Sequence, residues 1–172
     1  AGEANTKCPR ERKYRADTTL MYYVYSKILM KREISYIHFT VRKARPGLGL
    51  GLFAVAPIRK GGFVLEYTGN RITTAHADSL KTRYLFEINR EWTVDGSPRS
   101  NVARYMNHSC DPNCECELRS GHIFIYAARD IQEEEELTFD YGDEYFDEFI
   151  RPQGCRCMKC AVEKRLGNLR SG

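Results

Sequence analysis

Residues 104–113 read Arg104-Tyr105-Met106-Asn107-His108-Ser109-Cys110-Asp111-Pro112-Asn113, and no other part of the chain says as much about its fold. Amide, imidazole, hydroxyl and thiol groups follow one another without a break, directly after an aromatic-rich segment. A surface loop can be polar, but it rarely has this composition. The stretch therefore indicates a site, and on its own it suggests a reactive cluster built on His108 and Cys110.

Two further stretches have unusual patterns. Glu136-Leu137-Thr138-Phe139-Asp140-Tyr141-Gly142 is predicted to be a strand that ends on glycine. Gly47-Leu48-Gly49-Leu50-Gly51 places glycine at every second position, which strips one face of side chains and lets another molecule approach the backbone. By itself this second pattern is equally typical of a turn before a strand. A phosphate-binding loop is not indicated, because no Lys-Ser/Thr pair and no helix follow the glycines.

The composition is that of one globular domain. The chain has 172 residues, of which 42% are hydrophobic and 29% are charged. No apolar run approaches the roughly 20 residues of a membrane span. The net charge of +4 is unevenly distributed, with a basic excess in residues 1–45 and nine acids without a base in residues 133–148. The basic end could contact nucleic acid, whereas the acidic segment suits a basic peptide partner.

Short strands dominate the predicted secondary structure. An amphipathic helix is expected over Thr18–Lys31 and shorter helices over Thr73–Arg83 and Ser100–Met106. The strands are predicted at Ile34–Arg42, Phe63–Gly69, Tyr84–Ile88, Glu91–Asp95, His122–Ala128 and Glu136–Gly142, with a hairpin turn at Asn89-Arg90. No alternation of strands and helices is seen. The pattern predicts a mainly β fold, a β-rich α+β arrangement of small sheets.

The seven cysteines fall into two groups. Cys110, Cys114 and Cys116 form one, Cys155, Cys157 and Cys160 the other, and Cys8 stands alone. An odd number argues against a fully paired disulfide framework. Two tight groups about forty residues apart indicate a metal site closed in three dimensions, and hence a reducing, intracellular compartment.

In this order, the glycine segment, Tyr84-Leu85-Phe86, residues 104–113, Glu136–Gly142 and Cys155-Arg156-Cys157-Met158-Lys159-Cys160 resemble the SET-domain protein lysine methyltransferases with a post-SET zinc-binding tail. The resemblance covers roughly residues 34–165. It implies a SET fold in which the two long motifs form a pseudoknot. It also implies a division into an N-terminal basic arm and helix (1–33), a SET domain (34–146) and a zinc-binding tail (147–172).

The resemblance implies functional roles as well. The family methylates lysine with S-adenosylmethionine. Tyr141 would be the catalytic tyrosine, Tyr84 would line the lysine channel, and Phe139 would occupy the position that influences how many methyl groups are added. Tyr145 and Phe146 would complete the channel wall. The residues expected to bind the cofactor are Leu48, Gly49, Leu50, Tyr84, Arg104, Asn107, His108, Tyr141, Arg156 and Met158.

A structural zinc ion is the second implication. The family takes one thiolate from the Asn-His-Ser-Cys motif, here Cys110, and three from the tail, here Cys155, Cys157 and Cys160. The tail departs from the usual Cys-x-Cys-x4-Cys pattern, because only two residues separate Cys157 from Cys160. Cys114 and Cys116 are spare candidates, but ordinary strand thiols are the simpler interpretation.

The expected activity is di- or trimethylation of a basic, lysine-containing peptide, by family default a histone tail. The basic N-terminus could contact the nucleosome. The expected location is the nucleus or chromosome of a eukaryote, or a host cell if the source is a microbe. The alternatives are a methyltransferase of a non-histone protein, a catalytically silent SET-like module that binds peptides, and a cysteine hydrolase that uses Cys110 with His108.

Overall fold

A computed structural model describes residues 6–7 and 39–169. The predicted helix Thr18–Lys31 and the first part of the predicted strand Ile34–Arg42 lie outside these residues. Eleven strands are described: Thr6–Lys7 (β1), Phe39–Lys43 (β2), Leu50–Ala54 (β3), Phe63–Tyr67 (β4), Asn70–Thr73 (β5), Leu85–Glu87 (β6), Trp92–Asp95 (β7), Asn107–His108 (β8), Cys114–Arg119 (β9), His122–Ala127 (β10) and Glu136–Phe139 (β11).

The described helices are fewer and mostly short. They comprise Thr74–Ala77 (α1), a 3₁₀ turn at Val102–Tyr105, and Asp143–Tyr145 (α2), which continues as a π turn at Phe146–Ile150 and a 3₁₀ turn at Arg151–Gln153. Met158–Leu169 (α3) follows. Within residues 39–169, no helix has both the length and the apolar character needed to cross a membrane.

The strands form three small sheets. Their orders are β1-β6-β7-β5, β4-β10-β9 and β2-β3-β11-β8. All neighbours are antiparallel except β1 with β6 and β11 with β8, which run parallel. The expected mainly β fold of small sheets is therefore confirmed.

The core lies where the three sheets face one another. Leu52 of β3, Phe86 of β6, Ile125 of β10 and Leu137 of β11 are completely buried. Met106, next to the 3₁₀ turn, is 1% exposed and belongs to the same cluster. Because each sheet contributes to one core, the ends of β8 and β11 are held in fixed positions.

Two of the described hairpins are explained by their turn residues. In the β6–β7 hairpin, the Oδ1 of Asn89 accepts hydrogen bonds of 2.9 Å from the backbone amides of Glu91 and Trp92. This confirms the predicted hairpin. In the β9–β10 hairpin, Ser120 and Gly121 both have positive φ, the geometry of a type I′ turn, which matches the twist of the flanking strands.

Two helix predictions were wrong in extent. The predicted helix Thr73–Arg83 starts as expected, since the side chain of Thr73 caps its first turn, but it ends at Ala77. Only Ala77 is buried, and this is too little apolar surface to sustain further turns. The predicted helix Ser100–Met106 is a 3₁₀ turn of four residues. Residues 143–169, expected as an acidic segment and a cysteine-rich tail, contain the longest helical structure described.

Candidate functional site

Residues 104–113 and 136–142 meet in parallel strands. Asn107 lies opposite Thr138, and His108 lies opposite Phe139. The backbone amide of Ser109 extends this pairing with a 3.1 Å hydrogen bond to the carbonyl of Phe139. This pairing explains why one motif alone cannot form the site.

Asn113 fastens the two stretches from the core side. It is 1% exposed. Its Nδ2 donates to the carbonyl of Glu136 at 2.8 Å, and its Oδ1 accepts from the amide of Thr138 at 2.8 Å. A buried amide with both ends paired makes the register of the strands specific, since a slip would leave polar groups unsatisfied.

A cavity of about 440 Å³ opens beside this junction. The volume is in the range of small-molecule sites. One group of lining residues presents backbone and polar groups, and a second group is aromatic. The lining comprises Gly47, Leu48, Gly49, Leu50, Tyr67, Arg83, Tyr84, Ala103, Arg104, Tyr105, Met106, Asn107, His108, Phe139, Tyr141, Tyr145, Phe149, Ile150, Gln153, Gly154, Cys155, Arg156 and Cys157.

The glycine segment forms the polar group together with Arg156 and Asn107. Gly47 has a φ of 86°, and its carbonyl accepts a 3.0 Å hydrogen bond from the Nη1 of Arg156. A Cβ at this position would collide with that guanidinium. The Nδ2 of Asn107 donates to the carbonyl of Leu50 at 3.1 Å and to the Oε1 of Glu136 at 2.7 Å. The positive φ thus favours glycine at position 47, and a Cβ there would also displace the Arg156 guanidinium.

Tyr141 belongs to the aromatic group. Its ring lies 4.9 Å from that of Phe139 and 4.9 Å from that of Tyr145, which in turn lies 4.8 Å from Phe149. The Tyr141 hydroxyl donates to the carbonyl of Met106 at 2.7 Å. Desolvation raises the pKa of Tyr141 above its ordinary value of 10.0, so the phenol is neutral at physiological pH.

Tyr84 and Arg104 make a second contact at the cavity. The Arg104 guanidinium lies 4.0 Å from the centroid of the Tyr84 ring, a cation–π geometry, and also donates to the carbonyl of Ser97. The interaction with Tyr84 raises the pKa of Arg104, although its partial desolvation opposes this. The carbonyl of Tyr84 accepts a 2.9 Å hydrogen bond from the hydroxyl of Tyr67.

His108 lies between Tyr141 and Cys110. Its Nδ1 is 3.3 Å from the amide nitrogen of Tyr141, and its Nε2 is 3.3 Å from the Sγ of Cys110. Burial lowers the pKa of His108, and Asp140, whose Oδ1 is 3.6 Å from Nδ1, opposes this in part. With both ring nitrogens beside protein groups, His108 is not arranged as a general base.

Cys110, Cys155, Cys157 and Cys160 come together beside the cavity. Their four sulfur atoms all lie within 4.8 Å of one another. The Sγ of Cys110 is 3.8 Å from that of Cys155 and 3.7 Å from that of Cys160. In a tetrahedron with Zn–S bonds of about 2.3 Å the sulfurs are about 3.8 Å apart, so the cluster can hold a zinc ion.

The short spacing before Cys160 is explained by helix α3. The amide of Ala161 donates to the carbonyl of Cys157 at 3.0 Å, so the helix begins directly after Cys157. Residues three apart at a helix start lie on the same side of the helix, which brings Cys160 back beside Cys157. Cys114 and Cys116 are buried in β9 and are not part of the cluster.

Nearly all of the predicted cofactor residues line the cavity. Met158 does not; its side chain is 62% exposed, and its sulfur lies 3.7 Å from the Nη1 of Arg45. Phe146 is also absent from the lining, but its ring lies 5.3 Å from that of His108. Sequence analysis missed Tyr67, Arg83, Phe149, Ile150 and Gln153. A helix predicted over residues 143–153 would have placed Phe149, Ile150 and Gln153 near the cavity, because Phe149 is four residues after Tyr145 and lies on the same helix face.

Comparison with known proteins bears on this arrangement. The model of the SET domain family matches residues 49–142, more than half of the chain. This match contains β3 to β11 and both long motifs, but it ends before the helical segment and the tail cysteines.

The curated relatives are all longer proteins. The chain is 37% identical over 124 residues to the histone-lysine N-methyltransferase trithorax of Drosophila virilis, covering 65% of this chain and 3% of that protein. It is 33% identical over 147 residues to the histone-lysine N-methyltransferase ATX2 of Arabidopsis thaliana, covering 74% and 13%. It is 41% identical over 105 residues to the histone-lysine N-methyltransferase, H3 lysine-4 specific, of Schizosaccharomyces pombe, covering 54% and 11%. The chain thus matches only a small part of each relative.

Proposed function

The chain belongs to the SET-domain family, and on that premise we propose that it is an S-adenosylmethionine-dependent protein-lysine N-methyltransferase. The observation that carries the proposal is the neutral Tyr141 hydroxyl at a cavity whose lining combines a glycine-rich backbone with aromatic rings. The division into residues 1–33, 34–146 and 147–172 is part of the same proposal.

The aromatic group suits the chemistry of a lysine side chain. Free lysine has a pKa of about 10.4, so nearly all of it is protonated at neutral pH and unable to attack an electrophile. Rings of Tyr84, Phe139, Tyr141 and Tyr145 line the cavity and displace water from the amine. Desolvation lowers the pKa of an amine and favours the neutral nucleophile.

The polar group suits the cofactor. S-adenosylmethionine, when bound, supplies a methyl group on a positively charged sulfur. The backbone of Leu48–Leu50, the amide of Asn107 and the guanidinium of Arg156 would hold its amino-acid and nucleoside parts, with Arg104 and the backbone of His108 as further contacts. The missing side chain at position 49 leaves room for this close approach, since nothing lies within 4 Å of where a Cβ would be.

No aspartate or glutamate is found among the described residues that line the cavity. A carboxylate base beside the amine is therefore not part of the proposal. Tyr141 instead fixes the direction of the attacking nitrogen and stabilises charge that develops on the transferred methyl group. Its hydroxyl hydrogen is committed to the carbonyl of Met106, so its oxygen lone pairs are available for that task.

Phe139 bears on the number of methyl groups added. It is 3% exposed and packs against Tyr141 and Phe86. A phenylalanine cannot donate the hydrogen bond that would hold a partly methylated amine or a water molecule in one position. We therefore propose that the product is di- or trimethyl-lysine.

The helical segment after β11 supports a basic peptide as substrate. Its Tyr145 and Phe149 line the cavity, while its acidic residues Asp143, Glu144 and Asp147 are exposed. Acidic side chains on the element that forms the cavity wall attract a basic lysine-containing segment. The names of the relatives make histone H3 lysine 4 the first target to test, and a non-histone protein is the alternative.

Zinc is proposed as the structural metal of Cys110, Cys155, Cys157 and Cys160. Four thiolates leave no open coordination position, which is the arrangement of a structural rather than a catalytic ion. We further propose a nuclear, chromatin-associated protein whose basic N-terminal residues contact the nucleosome. Most of those residues lie outside the described part of the chain.

Radiolabelled methyl transfer to recombinant nucleosomes and to separate histones tests the function. Label in one histone, lost when Tyr141 is changed to phenylalanine, is the expected result. A wild-type protein that binds the peptide and contains zinc but transfers no label would instead be a silent peptide-binding module. A cysteine hydrolase is disfavoured because Cys110 belongs to the thiol cluster.

A further inference from the structure

We propose that His108 is a positioning residue that couples the cysteine cluster to Tyr141. Its Nδ1 contacts the backbone amide of Tyr141, and its Nε2 contacts the Sγ of Cys110. The inference rests on the proposed function and goes beyond it. It assigns a separate role to a side chain whose backbone alone is implicated in cofactor binding.

The Nδ1 side of the ring continues the strand pairing beyond its end. Backbone pairing between β8 and β11 stops at His108 opposite Phe139, with the Ser109 amide adding one further bond to the Phe139 carbonyl. Two residues after Phe139, the backbone amide nitrogen of Tyr141 lies 3.3 Å from the Nδ1 of His108. The imidazole therefore fixes the backbone of Tyr141 where no strand does.

The same contact determines the tautomer of the ring. A nitrogen that accepts from an amide carries no proton, so in the neutral ring the proton belongs to Nε2. Nε2 lies 3.3 Å from the Sγ of Cys110. It can therefore donate to that sulfur, which is a good acceptor as the thiolate that a metal requires. A donor of this kind orients the ligand and tunes the charge that the sulfur gives to the ion.

The ring has little freedom to leave this position. His108 is 9% exposed. Tyr141 packs against it at 5.5 Å and Phe146 at 5.3 Å. Asp140 is half-exposed. The distance from its Oδ1 to the Nδ1 of His108 is 3.6 Å, which is longer than the 3.3 Å contacts of the ring with Tyr141 and Cys110. Its two hydrogen-bond contacts hold the imidazole between Cys110 and Tyr141, and the two rings pack around it, so a shift of Cys110 is transmitted to Tyr141.

Two amide substitutions separate the two halves of the proposal. In His108→Asn the side-chain oxygen takes the place of Nδ1 and can accept from the Tyr141 amide, but nothing reaches Cys110. In His108→Gln the amide nitrogen takes the place of Nε2 and can donate to Cys110, but the Tyr141 amide loses its acceptor. Phe146→Leu is the matched control, since it removes ring packing on His108 and no hydrogen bond.

The primary readout is the metal. We expect His108→Asn to lower zinc affinity about tenfold, the low end for loss of a hydrogen bond to a ligand. In the cobalt-substituted protein, the thiolate-to-cobalt absorption of this variant should move to lower energy, because an unbonded thiolate is more electron-rich. His108→Gln and Phe146→Leu should keep the wild-type affinity and band. A long-range proton–nitrogen NMR correlation on the wild type should show the proton on Nε2.

The second readout is kinetic. His108→Gln should lower kcat about tenfold with a smaller change in KM, because a displaced Tyr141 acts on the transition state. His108→Asn should lower kcat by less. A proton on Nδ1, equal effects of the two amide variants, or a cobalt band that Phe146→Leu moves as far as His108→Asn would overturn the inference. Absence of methyl transfer by the wild type would overturn the proposed function alone, because the metal and NMR readouts need no activity.

Discussion

The hydroxyl of Tyr141 donates a 2.7 Å hydrogen bond to the carbonyl of Met106, thirty-five residues earlier in the chain. Met106 is 1% exposed and belongs to the core, so the phenol is anchored to a point that cannot shift without disturbing the packing. The reactive end of the cavity is thereby held by the core and not by a surface loop.

Tyr141→Phe should lower kcat roughly 100-fold, the effect of removing one preorganised polar group from a transition state. Binding of peptide and cofactor should change little by comparison. The measurement is steady-state methyl transfer, with Tyr126→Phe as the matched control because Tyr126 packs against Phe63 and lies outside the cavity lining. Equal losses in both variants would show that the hydroxyl of Tyr141 has no special role.

Phe139→Tyr should shift the product towards monomethyl-lysine. The hydroxyl is added to a buried ring whose centroid lies 4.9 Å from that of Tyr141, and it would supply a hydrogen-bonding group beside the amine. Mass spectrometry of peptides over a time course distinguishes the products, and Phe124→Tyr on the opposite sheet serves as control. A wild-type enzyme that stops at one methyl group would contradict the prediction.

Gly47→Ala should weaken cofactor binding more than Gly49→Ala. Both positions have positive φ, at 86° and 77°, where a residue with a Cβ is disfavoured, so both variants should lose a similar folding free energy of about 1–2 kcal/mol. Only at Gly47 would the new Cβ meet the Arg156 guanidinium, whereas nothing lies within 4 Å of the corresponding position at Gly49. Calorimetric titration with S-adenosylmethionine and thermal unfolding separate the two effects. A larger loss of affinity in Gly49→Ala would refute the assignment of Arg156.

Reversing Asp143 and Glu144 to lysine should raise KM for a basic peptide roughly threefold and weaken its dependence on salt. Asp147 is left unchanged because it pairs with Arg151, whose Nε is 2.9 Å from the Asp147 carboxylate, and its reversal would disturb the helical segment itself. The control reverses the exposed Glu91 and Glu133, which do not line the cavity and change the net charge equally. If both double variants raise KM alike, the acidic segment contributes only through total charge.

Cys160→Ser should reduce zinc well below one ion per chain and lower Tm by roughly 5 °C or more. Amide exchange in α3 should increase, because its first turn carries that ligand. Cys116→Ala is the control: it opens a small cavity in the core and also lowers Tm, but should leave zinc at one ion per chain. Zinc retained by Cys160→Ser would disprove the four-thiolate site.

Much of the fold could be predicted from the sequence, because the informative residues act locally. Asn89 specifies the β6–β7 turn through its own side chain, and the apolar alternation of β10 follows from one buried face. The expected contact between residues 104–113 and 136–142 came instead from the family resemblance, and the register of Asn107 opposite Thr138 was not predicted, since parallel pairing across thirty residues leaves no local signal.

The helical parts of the C-terminal region were missed for physical reasons. In residues 143–153 the apolar residues stand at helical spacing over less than two turns, among four acids and before Pro152, and the segment changes from α to π to 3₁₀ geometry. In α3, Met158, Val162 and Leu166 recur at helical spacing. All three side chains are exposed in the structure, so this apolar stripe does not mark a buried face. The contacts of His108 depend on tertiary geometry and have no counterpart in the local sequence.

The pairing of β8 with β11 and the gathering of Cys110 with Cys155–Cys160 also constrain how the chain folds. Both join segments about thirty to fifty residues apart, and such non-local contacts are slow to form because the entropy of loop closure must be overcome first. During synthesis, residues 104–113 leave the ribosome well before either partner exists. The cavity is therefore among the last features to assemble, and until residue 160 has emerged Cys110 lacks the three sulfur atoms that surround it in the folded chain.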